Sequence, residues 1–310
     1  MEKERQSMKN IETNIVDFDI WKDTDQAVCV AVCSGGMDST SMGLAMMEEG
    51  HDVIFCHVNL GQKAETPEKN AVKKIVEEVN GMIKDFGPLR AYYFIVDTPW
   101  LGEMGGSCLT SASYDVPKGM MSIEESFKIT DNLDNPGLWT PGRNIVLLSV
   151  ASALADRIHA EVVTLGANQS ETAYRDNTMD FLRAFELMAR FGTLQMPVFT
   201  APLYELNKPE ILKWAIDHGY YDVLKHTWSC DEGFEIPCGE CGCCMNRRLS
   251  FLILNEILGY KQYPDNQTYK NPHYFKEEFL PDAIQRFIPG LWYGKYLEQL
   301  RKLDDSGNEK

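Results

Sequence analysis

The sequence has no uninterrupted apolar stretch that approaches the ~20 residues that a membrane-spanning helix needs. It has no internal repeat and no low-complexity segment. Residues Met1 to Asn10 are polar and charged, without the apolar core of a secretory signal peptide. These absences argue against an integral membrane protein and a repeat protein. We therefore expect a cytoplasmic protein with no membrane partner.

Positive charge is also scarce, because 30 Lys and Arg stand against 46 Asp and Glu, for a formal net charge of -16. Broad binding to a nucleic acid backbone relies on an excess of positive charge, so nucleic acid is not an expected partner. The chain is 44% hydrophobic and 25% charged, which is ordinary for a globular protein. At 310 residues it can bury one large core with an accessory lobe.

One stretch combines the signals of a strand, a glycine turn and a helix. The apolar run 27–33 predicts a buried strand, and the composition of 42–47 favours a helix. The two glycines between them let the backbone turn sharply and approach a ligand. Asp38, Ser39 and Thr40 stand where a helix N-terminus is capped, and N–H groups at such a helix start bind phosphate. The prediction is a phosphate-binding loop, with an ordinary strand-to-helix turn as the alternative. Its full sequence is Ser34-Gly35-Gly36-Met37-Asp38-Ser39-Thr40.

Further strands are predicted at 52–58, 91–96 and 161–165, with helical stretches between them. This alternation predicts an α/β fold, an open and mostly parallel sheet flanked by helices. Ligands of such sheets bind at the carboxyl ends of the strands. The glycine loop, the turn at Gly61-Gln62 and the segment after Val96 all fall at that edge.

The chain divides into four predicted segments: a leader at 1–26, a main domain at 27–225, a cysteine lobe with a helix at 226–258, and an aromatic-rich extension at 259–310. The extension is expected to fold back on the domain or to form a subunit interface, because so much aromatic surface is unlikely to remain in water. Its aromatic residues include Tyr263, Tyr269, Tyr274, Phe275, Phe279, Phe287, Trp292, Tyr293 and Tyr296.

Four local predictions concern single segments. In the leader, apolar residues at Ile11, Ile15, Phe18 and Trp21 indicate either a short amphipathic helix or a partly ordered segment. The irregular stretch 97–140 is expected to be a lid or binding loop, or else disordered. Two later helices are predicted, one at 178–191 and one at 207–218. The first should turn Phe181, Phe185 and Met188 inward, and the second should begin with Asn207 as its cap and Glu210 three residues on.

Four cysteines lie within residues 238–244, and Cys230 precedes them. Cys238, Cys241 and Cys244 form two successive C-x2-C steps, and Cys230 supplies a fourth thiolate. Four thiolates on tight turns suit a closed, tetrahedral structural Zn²⁺ site. Cys243 is the spare cysteine, or it replaces Cys244 in the set. An iron–sulfur cluster and metal-free thiols are the alternatives to zinc.

The glycine loop is not a Walker sequence, because no Lys follows its second glycine. It resembles the SGGxDS loop of the N-type ATP pyrophosphatases, which use ATP to activate a carbonyl oxygen. The order of four motifs narrows the resemblance to the 7-cyano-7-deazaguanine synthase (QueC) family. The motifs are the glycine loop, Gly61-Gln62, Pro141-Gly142-Arg143-Asn144 and the cysteine segment from Thr227 to Arg248. The resemblance covers about residues 27 to 255 and implies a Rossmann-like fold of the adenine nucleotide alpha hydrolase type.

The resemblance implies an ATP-dependent carbon–nitrogen ligase that converts 7-carboxy-7-deazaguanine and ammonia, through an amide, into 7-cyano-7-deazaguanine. It implies Mg²⁺ with ATP, zinc in the cysteine lobe and a homodimer. Arg143 would pair with the substrate carboxylate, and Asn144 would bind substrate or only cap its helix. Tyr174 and Asp176 would bind the deazaguanine. The implied catalytic residues are Ser34, Asp38, Ser39 and Arg143, and the implied ATP-binding residues are Ser34, Gly35, Gly36, Met37, Asp38, Ser39, Thr40 and Gln62.

The chain departs from the family where the family carries a Y-P-D-C-R segment. Here the aligned residues are Tyr174-Arg175-Asp176-Asn177-Thr178, so Tyr and Asp are kept while Pro, Cys and Arg are replaced. The missing Arg leaves the acceptor open. One alternative is therefore a ligase of this type that transfers activated deazaguanine to an amine on a protein or another macromolecule. A tRNA-modifying relative is a further alternative, disfavoured by the acidic composition.

Overall fold

The computed structural model describes residues 10–23, 25–83, 89–119, 137–168, 174–275 and 296–308. They form a six-stranded sheet in which β1 is antiparallel to β4 and every other pair of neighbours is parallel. The spatial order is β1-β4-β3-β2-β5-β6. This confirms the predicted open, mostly parallel sheet. The strands are β1 (Ile11–Thr13), β2 (Val28–Val32), β3 (Asp52–Asn59), β4 (Ala91–Asp97), β5 (Val162–Thr164) and β6 (Val198–Thr200).

The central strands β2 and β3 are buried along their whole length, as their apolar runs predict. From β2 the chain builds β3 and β4 on one side, and later β5 and β6 on the other side. The strand order therefore reverses beside β2, and the glycine loop follows the carboxyl end of that strand. This is the place where open α/β sheets bind ligands.

Helices cover both faces of the sheet. None of the described helices is long and apolar enough to cross a membrane. The helices are α1 (Met37–Glu48), α2 (Glu65–Ile83), α3 (Trp100–Glu103), α4 (Arg143–Ile158), α5 (Met179–Gly192), α6 (Lys208–Asp217), α7 (Tyr221–Leu224), α8 (Gly242–Leu252) and α9 (Leu297–Asn308), with a 3₁₀ turn at Arg175–Asn177 and a π turn at Ile253–Ile257.

The described part of the leader, residues 10–23, is not the amphipathic helix that its spacing predicted as one alternative. Ile11 begins the edge strand β1, which pairs antiparallel with β4. Ile15 and Trp21 are buried, and the Trp21 indole nitrogen donates to Asp52 Oδ2 at 3.0 Å. The helical prediction was wrong because the pairing of β1 with the edge of the sheet depends on contacts far apart in sequence.

Helix α6 begins as predicted, and α5 turns Phe181 and Phe185 toward the core as predicted, but not Met188. Asn207 and Glu210 form a reciprocal capping box at the start of α6. In α5 the buried face carries Leu182, Phe185 and Ala189. Met188, which was predicted to point inward, is 55% exposed. The apolar residues of α5 occupy both of its faces, so periodicity alone did not identify the core face.

The described part of the extension folds back, as one of the two alternatives predicted. Tyr260 and Tyr263 pack on the core beside α7 and α8, and Tyr296 is buried against α8. Tyr269 packs against the cysteine cluster. Phe279, Phe287, Trp292 and Tyr293 lie outside the described residues.

Candidate active site

A cavity of about 300 Å³ opens at the carboxyl ends of β2, β3 and β5. It brings together the glycine loop, the turn after β3, the start of α4 and the cysteine lobe. From the irregular stretch 97–140, Leu109, Thr110 and Thr140 reach this cavity, which fits the predicted binding loop. The predicted site residues that line it are Ser34, Gly36, Met37, Asp38, Ser39, Gln62, Arg143 and Asn144.

The two serines of the loop form a preorganised pair. Ser34 Oγ lies 3.2 Å from Ser39 Oγ, and the backbone N–H of Gly36 donates to Ser34 Oγ at 3.3 Å. The residue before helix α1 is Gly36, which makes no side-chain cap bond. Asp38, Ser39 and Thr40 therefore lie inside the first turn of the helix, and the prediction that they cap it was wrong. The uncapped helix start favours an anion.

Two predicted phosphate-binding residues lie behind the cavity instead of in its lining. Thr40 is fully buried, and its hydroxyl lies 3.8 Å from Cys33 Sγ. Gly35 has a φ of +77°, and its carbonyl accepts a hydrogen bond of 2.8 Å from the Trp228 N–H. A Cβ at Gly35 would lie 3.0 Å from Ala71 Cβ. Gly35 is therefore needed for the shape of the loop and for its contact with the cysteine lobe.

Asp38 is held by two residues that the sequence analysis did not identify. Lys208 Nζ lies 3.0 Å from Asp38 Oδ2, and Asn168 Nδ2 donates to the same oxygen at 3.1 Å. Lys208 is the first residue of α6, and it lines the cavity. The position of Asn168 after the fourth predicted strand was a signal for the sheet edge. Lys208 had no such signal, because its position depends on the order of β2, β5 and β6.

Both polar atoms of the Gln62 side-chain amide form hydrogen bonds within the protein. Its Oε1 accepts from the Leu60 N–H at 2.7 Å, and its Nε2 donates to Glu68 Oε2 at 2.6 Å. Glu68 was also missed by the sequence analysis, although it lines the cavity. Burial raises the pKa of Glu68 to about 8, against the opposing effect of the Gln62 hydrogen bond. Gln62 thus positions a second acidic group at the wall of the cavity.

Arg143 is the first residue of α4, directly after Gly142, whose φ is +69°. Within the part of the chain that the structure describes, no side chain hydrogen-bonds to its guanidinium. Its positive charge opposes the upward pKa shifts that burial imposes on Glu68 and Asp176. The guanidinium of Arg143 therefore has N–H donors available for an anionic ligand in the cavity.

Asn144 connects the cavity to residues 174–178, the segment in which the chain departs from the family sequence. Its amide nitrogen donates to the Asp176 carbonyl at 3.1 Å and to Asn177 Oδ1 at 2.9 Å. The cap of α4 is Gly142, so the prediction that Asn144 only caps this helix was wrong. Thr178, which replaces the family's Arg, caps α5 by accepting from the Phe181 N–H at 3.2 Å.

Tyr174 and Asp176 lie behind the wall of the cavity rather than in its lining. The Tyr174 ring stacks on Trp139, with 6.1 Å between centroids and 4° between planes. Asp176 Oδ1 is buried and has no hydrogen-bond donor among the described residues. Burial raises the pKa of Asp176, although Arg143 opposes that shift. Asp176 is thus a buried acceptor near Arg143.

The four predicted metal ligands converge. The Sγ atoms of Cys230, Cys238, Cys241 and Cys244 all lie within 4.8 Å of one another, and all four residues are buried. Two of these sulfurs lie 3.9 Å apart, close to the ~3.8 Å edge of a tetrahedron with 2.3 Å zinc–sulfur bonds. Backbone N–H groups also point at the sulfurs of Cys230 and Cys238. The cluster can hold a metal ion such as zinc, with Cys244 in the set and Cys243 exposed.

The cysteine lobe forms a wall of the cavity as well as bracing the fold. Trp228, Ser229, Cys230, Asp231 and Cys243 all line the cavity. The indole nitrogen of Trp228 donates to the Cys230 carbonyl at 2.7 Å, while its backbone N–H bonds the glycine loop. Metal binding in the lobe and the shape of the phosphate loop are therefore physically connected.

An open parallel sheet, an SGGxDS loop at its switch point and an adjoining four-cysteine lobe define the class of the protein as an N-type ATP pyrophosphatase. The sequence profile described as "Queuosine biosynthesis protein QueC" matches residues 28–255. The chain belongs to the QueC family. This confirms the resemblance on which the predicted enzyme class, an ATP-dependent ligase, was based.

Curated relatives agree with this assignment. The chain is 32% identical over 231 residues to the 7-cyano-7-deazaguanine synthase of Methanocaldococcus jannaschii, an alignment that covers 72% of this chain and 94% of the relative. It is 30% identical over 239 residues to the enzyme of the same name from a Sulfurovum species, with 76% and 96% covered. A 7-cyano-7-deazaguanine synthase 2 of Sulfurisphaera tokodaii is 31% identical over 237 residues, but only 47% of that protein is covered.

Proposed function

We propose that the protein activates the carboxylate of 7-carboxy-7-deazaguanine with ATP and replaces the activated oxygen with ammonia. The product is first the amide and then, after a second activation, 7-cyano-7-deazaguanine. The observation that carries this proposal is the single cavity that holds both the phosphate loop and the uncommitted Arg143. The family and the names of the relatives support the substrate.

The first step follows from the charges of the cavity. A carboxylate is a poor electrophile until its oxygen becomes part of a leaving group. A carboxylate oxygen attacks the α-phosphorus of ATP, pyrophosphate leaves, and an acyl adenylate forms. Ser34, Ser39 and the N–H groups at the start of α1 bind the departing pyrophosphate. Lys208 adds a positive charge beside Asp38.

Arg143 orients the substrate in this proposal. The guanidinium of Arg143 suits a bidentate pair with the carboxylate. Asp176 lies behind the lining, where its backbone carbonyl accepts a hydrogen bond from Asn144, the residue after Arg143. Asp176 therefore supports the start of α4, which carries Arg143.

Two metal ions belong to the proposal. Zn²⁺ in the four-cysteine site would hold the lobe that walls the cavity. Mg²⁺ bound with ATP would neutralise phosphate charge. Asp38, the carboxylate of the loop, would help to hold this ion.

The test is to incubate the pure protein with ATP and 7-carboxy-7-deazaguanine, with and without ammonia, and to measure product masses. We expect the adenylate without ammonia, and the amide followed by the nitrile with ammonia. An adenylate that yields neither amide nor nitrile when ammonia is supplied would contradict the proposed reaction.

We also propose that the chain forms a homodimer through the outer surface of α5, which we call the α5 face. Its six apolar side chains are exposed by 51% (Val198) to 89% (Phe191). A stable interface buries ~800 Å² from each partner, and exposed apolar side chains grouped on neighbouring segments are the kind of surface that such an interface covers. The α5 face consists of Leu187, Met188, Phe191, Leu194, Met196 and Val198.

The backbone beneath the α5 face is fixed. Asp156 Oδ1 accepts from the N–H groups of Leu194 and Gln195 at 2.7 and 2.8 Å, which holds the turn after α5. Glu186 Oε2 accepts from the Phe199 N–H at 3.0 Å, so this donor on the edge strand β6 is occupied. A second copy is therefore expected to pack through side chains and not by adding a strand.

Analytical ultracentrifugation tests the α5 face. We expect the wild-type protein to sediment as a dimer and the double variant F191D/L194D as a monomer with an unchanged far-UV circular dichroism spectrum. Val16→Asp is the matched control, because Val16 is 79% exposed and lies outside the face. A monomeric wild-type protein, or a double variant that remains dimeric, would refute this interface.

A further inference from the structure

His57 places an unused hydrogen-bond acceptor at the cavity. This side chain lies in β3 and is only 1% exposed, yet it lines the cavity. Its Nδ1 lies 3.0 Å from the Cys33 carbonyl oxygen, which can only accept a hydrogen bond. Nδ1 therefore carries the proton and Nε2 carries a lone pair. Among the described residues nothing bonds to Nε2.

The imidazole of His57 is neutral over the physiological range. Burial lowers its pKa to about 4, and the nearby Lys69 adds to this effect, while the Cys33 carbonyl and Asp97 oppose it. A neutral, buried imidazole in the wall of a cavity, with no hydrogen-bond donor on its Nε2 among the described residues, is an acceptor that awaits a donor. An unpartnered polar atom of this kind is costly, so it indicates a ligand with N–H or O–H groups.

Glu68 lines the same cavity beside the glycine loop. A Cβ at Gly35 would lie 3.0 Å from the Glu68 carbonyl oxygen, so the first turn of α2 presses directly on the loop. His57 and Glu68 share Cys33 as a neighbour, because His57 bonds its carbonyl and the Glu68 charge acts on its thiol. The charged groups that act on Glu68 are Arg143, Asp231 and Glu65.

We propose that His57 Nε2 and the Glu68 carboxylate form the subsite for the nitrogen nucleophile, and that Glu68 accepts the proton that this nucleophile loses. The ligand class is ammonia, or a small primary amine, entering as the free base. The inference rests on the proposed function, since it assigns the second half of that reaction.

The proton balance of the step is complete. The nitrogen lone pair attacks the carboxyl carbon of the acyl adenylate, forming the carbon–nitrogen bond. The carbon–oxygen bond to AMP breaks, and AMP leaves with that electron pair. The nitrogen, positively charged after the attack, gives a proton to Glu68, and the amide results. His57 Nε2 accepts a hydrogen bond from the nucleophile and fixes the direction of its lone pair.

The composition of this subsite favours an amine over the other ligands of the cavity. Above about pH 8, where Glu68 is ionised, His57 Nε2 and the Glu68 carboxylate are both acceptors, and neither offers a donor to a phosphate oxygen or to the substrate carboxylate. The loop, Lys208 and Arg143 already supply donors for those anions. The adenine amino group of ATP is the other N–H donor in the reaction, and the experiment separates it from ammonia.

The experiment uses Glu68→Gln and His57→Phe, with Glu77→Gln, an exposed residue on the same helix, as the matched control. Substrate-dependent ATP–pyrophosphate exchange measures adenylation, which needs no amine. Amide formation is measured against ammonium concentration. We expect exchange in both variants to stay within about threefold of wild type. Glu68→Gln should lower the rate of amide formation about 100-fold, as the loss of a general base does, and His57→Phe should raise the KM for ammonium about tenfold.

A nucleophile that is already unprotonated at neutral pH provides the second readout. With hydroxylamine, the wild-type rate should rise with pH and level off above pH 8, and this dependence should vanish in Glu68→Gln. Unchanged ammonium kinetics with intact exchange would overturn the subsite, as would a raised KM for ATP in His57→Phe, which would place adenine there. Loss of substrate-dependent exchange in the wild-type protein would instead refute the proposed function.

Discussion

The two walls of the cavity are built in different ways. The nucleotide wall comes from one contiguous loop whose donors are already paired with one another, as in the 3.2 Å contact of Ser34 with Ser39. The acceptor wall is assembled from distant segments and leaves the Arg143 guanidinium and His57 Nε2 without hydrogen-bond partners among the described residues. A preorganised loop suits ATP, which is bound in both activation steps. Side-chain atoms that lack a hydrogen-bond partner suit the substrate and the amine, which supply that partner when they bind.

The largest expected effect comes from breaking the acceptor wall at its metal site. Cys241→Ser removes one of four thiolates, so the protein should lose its metal and several kcal/mol of stability in the lobe. Because the lobe contacts Gly35 through Trp228, adenylation should fall as well. Elemental analysis and thermal unfolding measure the result, with the exposed Cys243→Ser as control. A full equivalent of zinc in Cys241→Ser would contradict the ligand set.

The nucleotide wall is tested by Gly35→Ala against Gly50→Ala. Both glycines have a positive φ, +77° and +92°, so both substitutions add a strain of about 1 kcal/mol. Only the Cβ at position 35 meets other atoms, at 3.0 Å, whereas position 50 has nothing within 4 Å. We expect Gly35→Ala to lower substrate-dependent pyrophosphate exchange by about 100-fold, and Gly50→Ala to leave it unchanged. Equal rates in the two variants would show that the loop tolerates displacement.

Arg143→Lys sharpens the comparison between the walls. Lys keeps the charge but loses the planar fork that matches a carboxylate. The KM for 7-carboxy-7-deazaguanine should rise by roughly 10-fold to 100-fold, and the KM for ATP should change little. Arg157→Lys, on the exposed pair with Asp19, is the matched control. A rise in the KM for ATP alone would indicate that Arg143 binds the nucleotide and not the substrate carboxylate.

The smallest predicted effect concerns stability and pH. The folded-state pKa of Glu68 is raised from 4.5 to about 8, so the folded protein keeps a proton that the unfolded chain releases. The stability contributed by this proton is present below pH 4.5 and is lost as pH rises toward 8. From pH 6 to pH 8 the free energy of unfolding of the wild type should fall relative to Glu68→Gln by on the order of 2 kcal/mol. Urea unfolding at both pH values measures this difference, and parallel changes in the two proteins would contradict it.

The sequence predicted those features whose residues are close together in the chain. The strand, glycine loop and helix from residue 27 onward could be predicted because the loop is one run of seven consecutive residues between them. Two other features could be predicted because their residues are close together in the chain. They are the capping box of Asn207 and Glu210 and the four-cysteine cluster. Their geometry follows from short spacings, and the structure contains them as predicted.

Features that depend on sheet order or on the rotation of a helix were not predictable in this way. Lys208 reaches Asp38 only because β6 lies beside β5, and β5 beside β2. Met188 was assigned to the core because α5 is apolar on two faces. Glu68 and His57 carry no motif of their own, and only the folded cavity brings them next to the loop.

The central claim is that this cavity adenylates a carboxylate, and oxygen transfer tests it most directly. The substrate is 7-carboxy-7-deazaguanine with its carboxylate oxygens labelled with ¹⁸O, incubated with ATP and ammonia. The account predicts that AMP acquires one labelled oxygen for each amide formed, because the carboxylate oxygen leaves on the α-phosphorus. Unlabelled AMP, or label that appears in inorganic phosphate beside ADP, would contradict it.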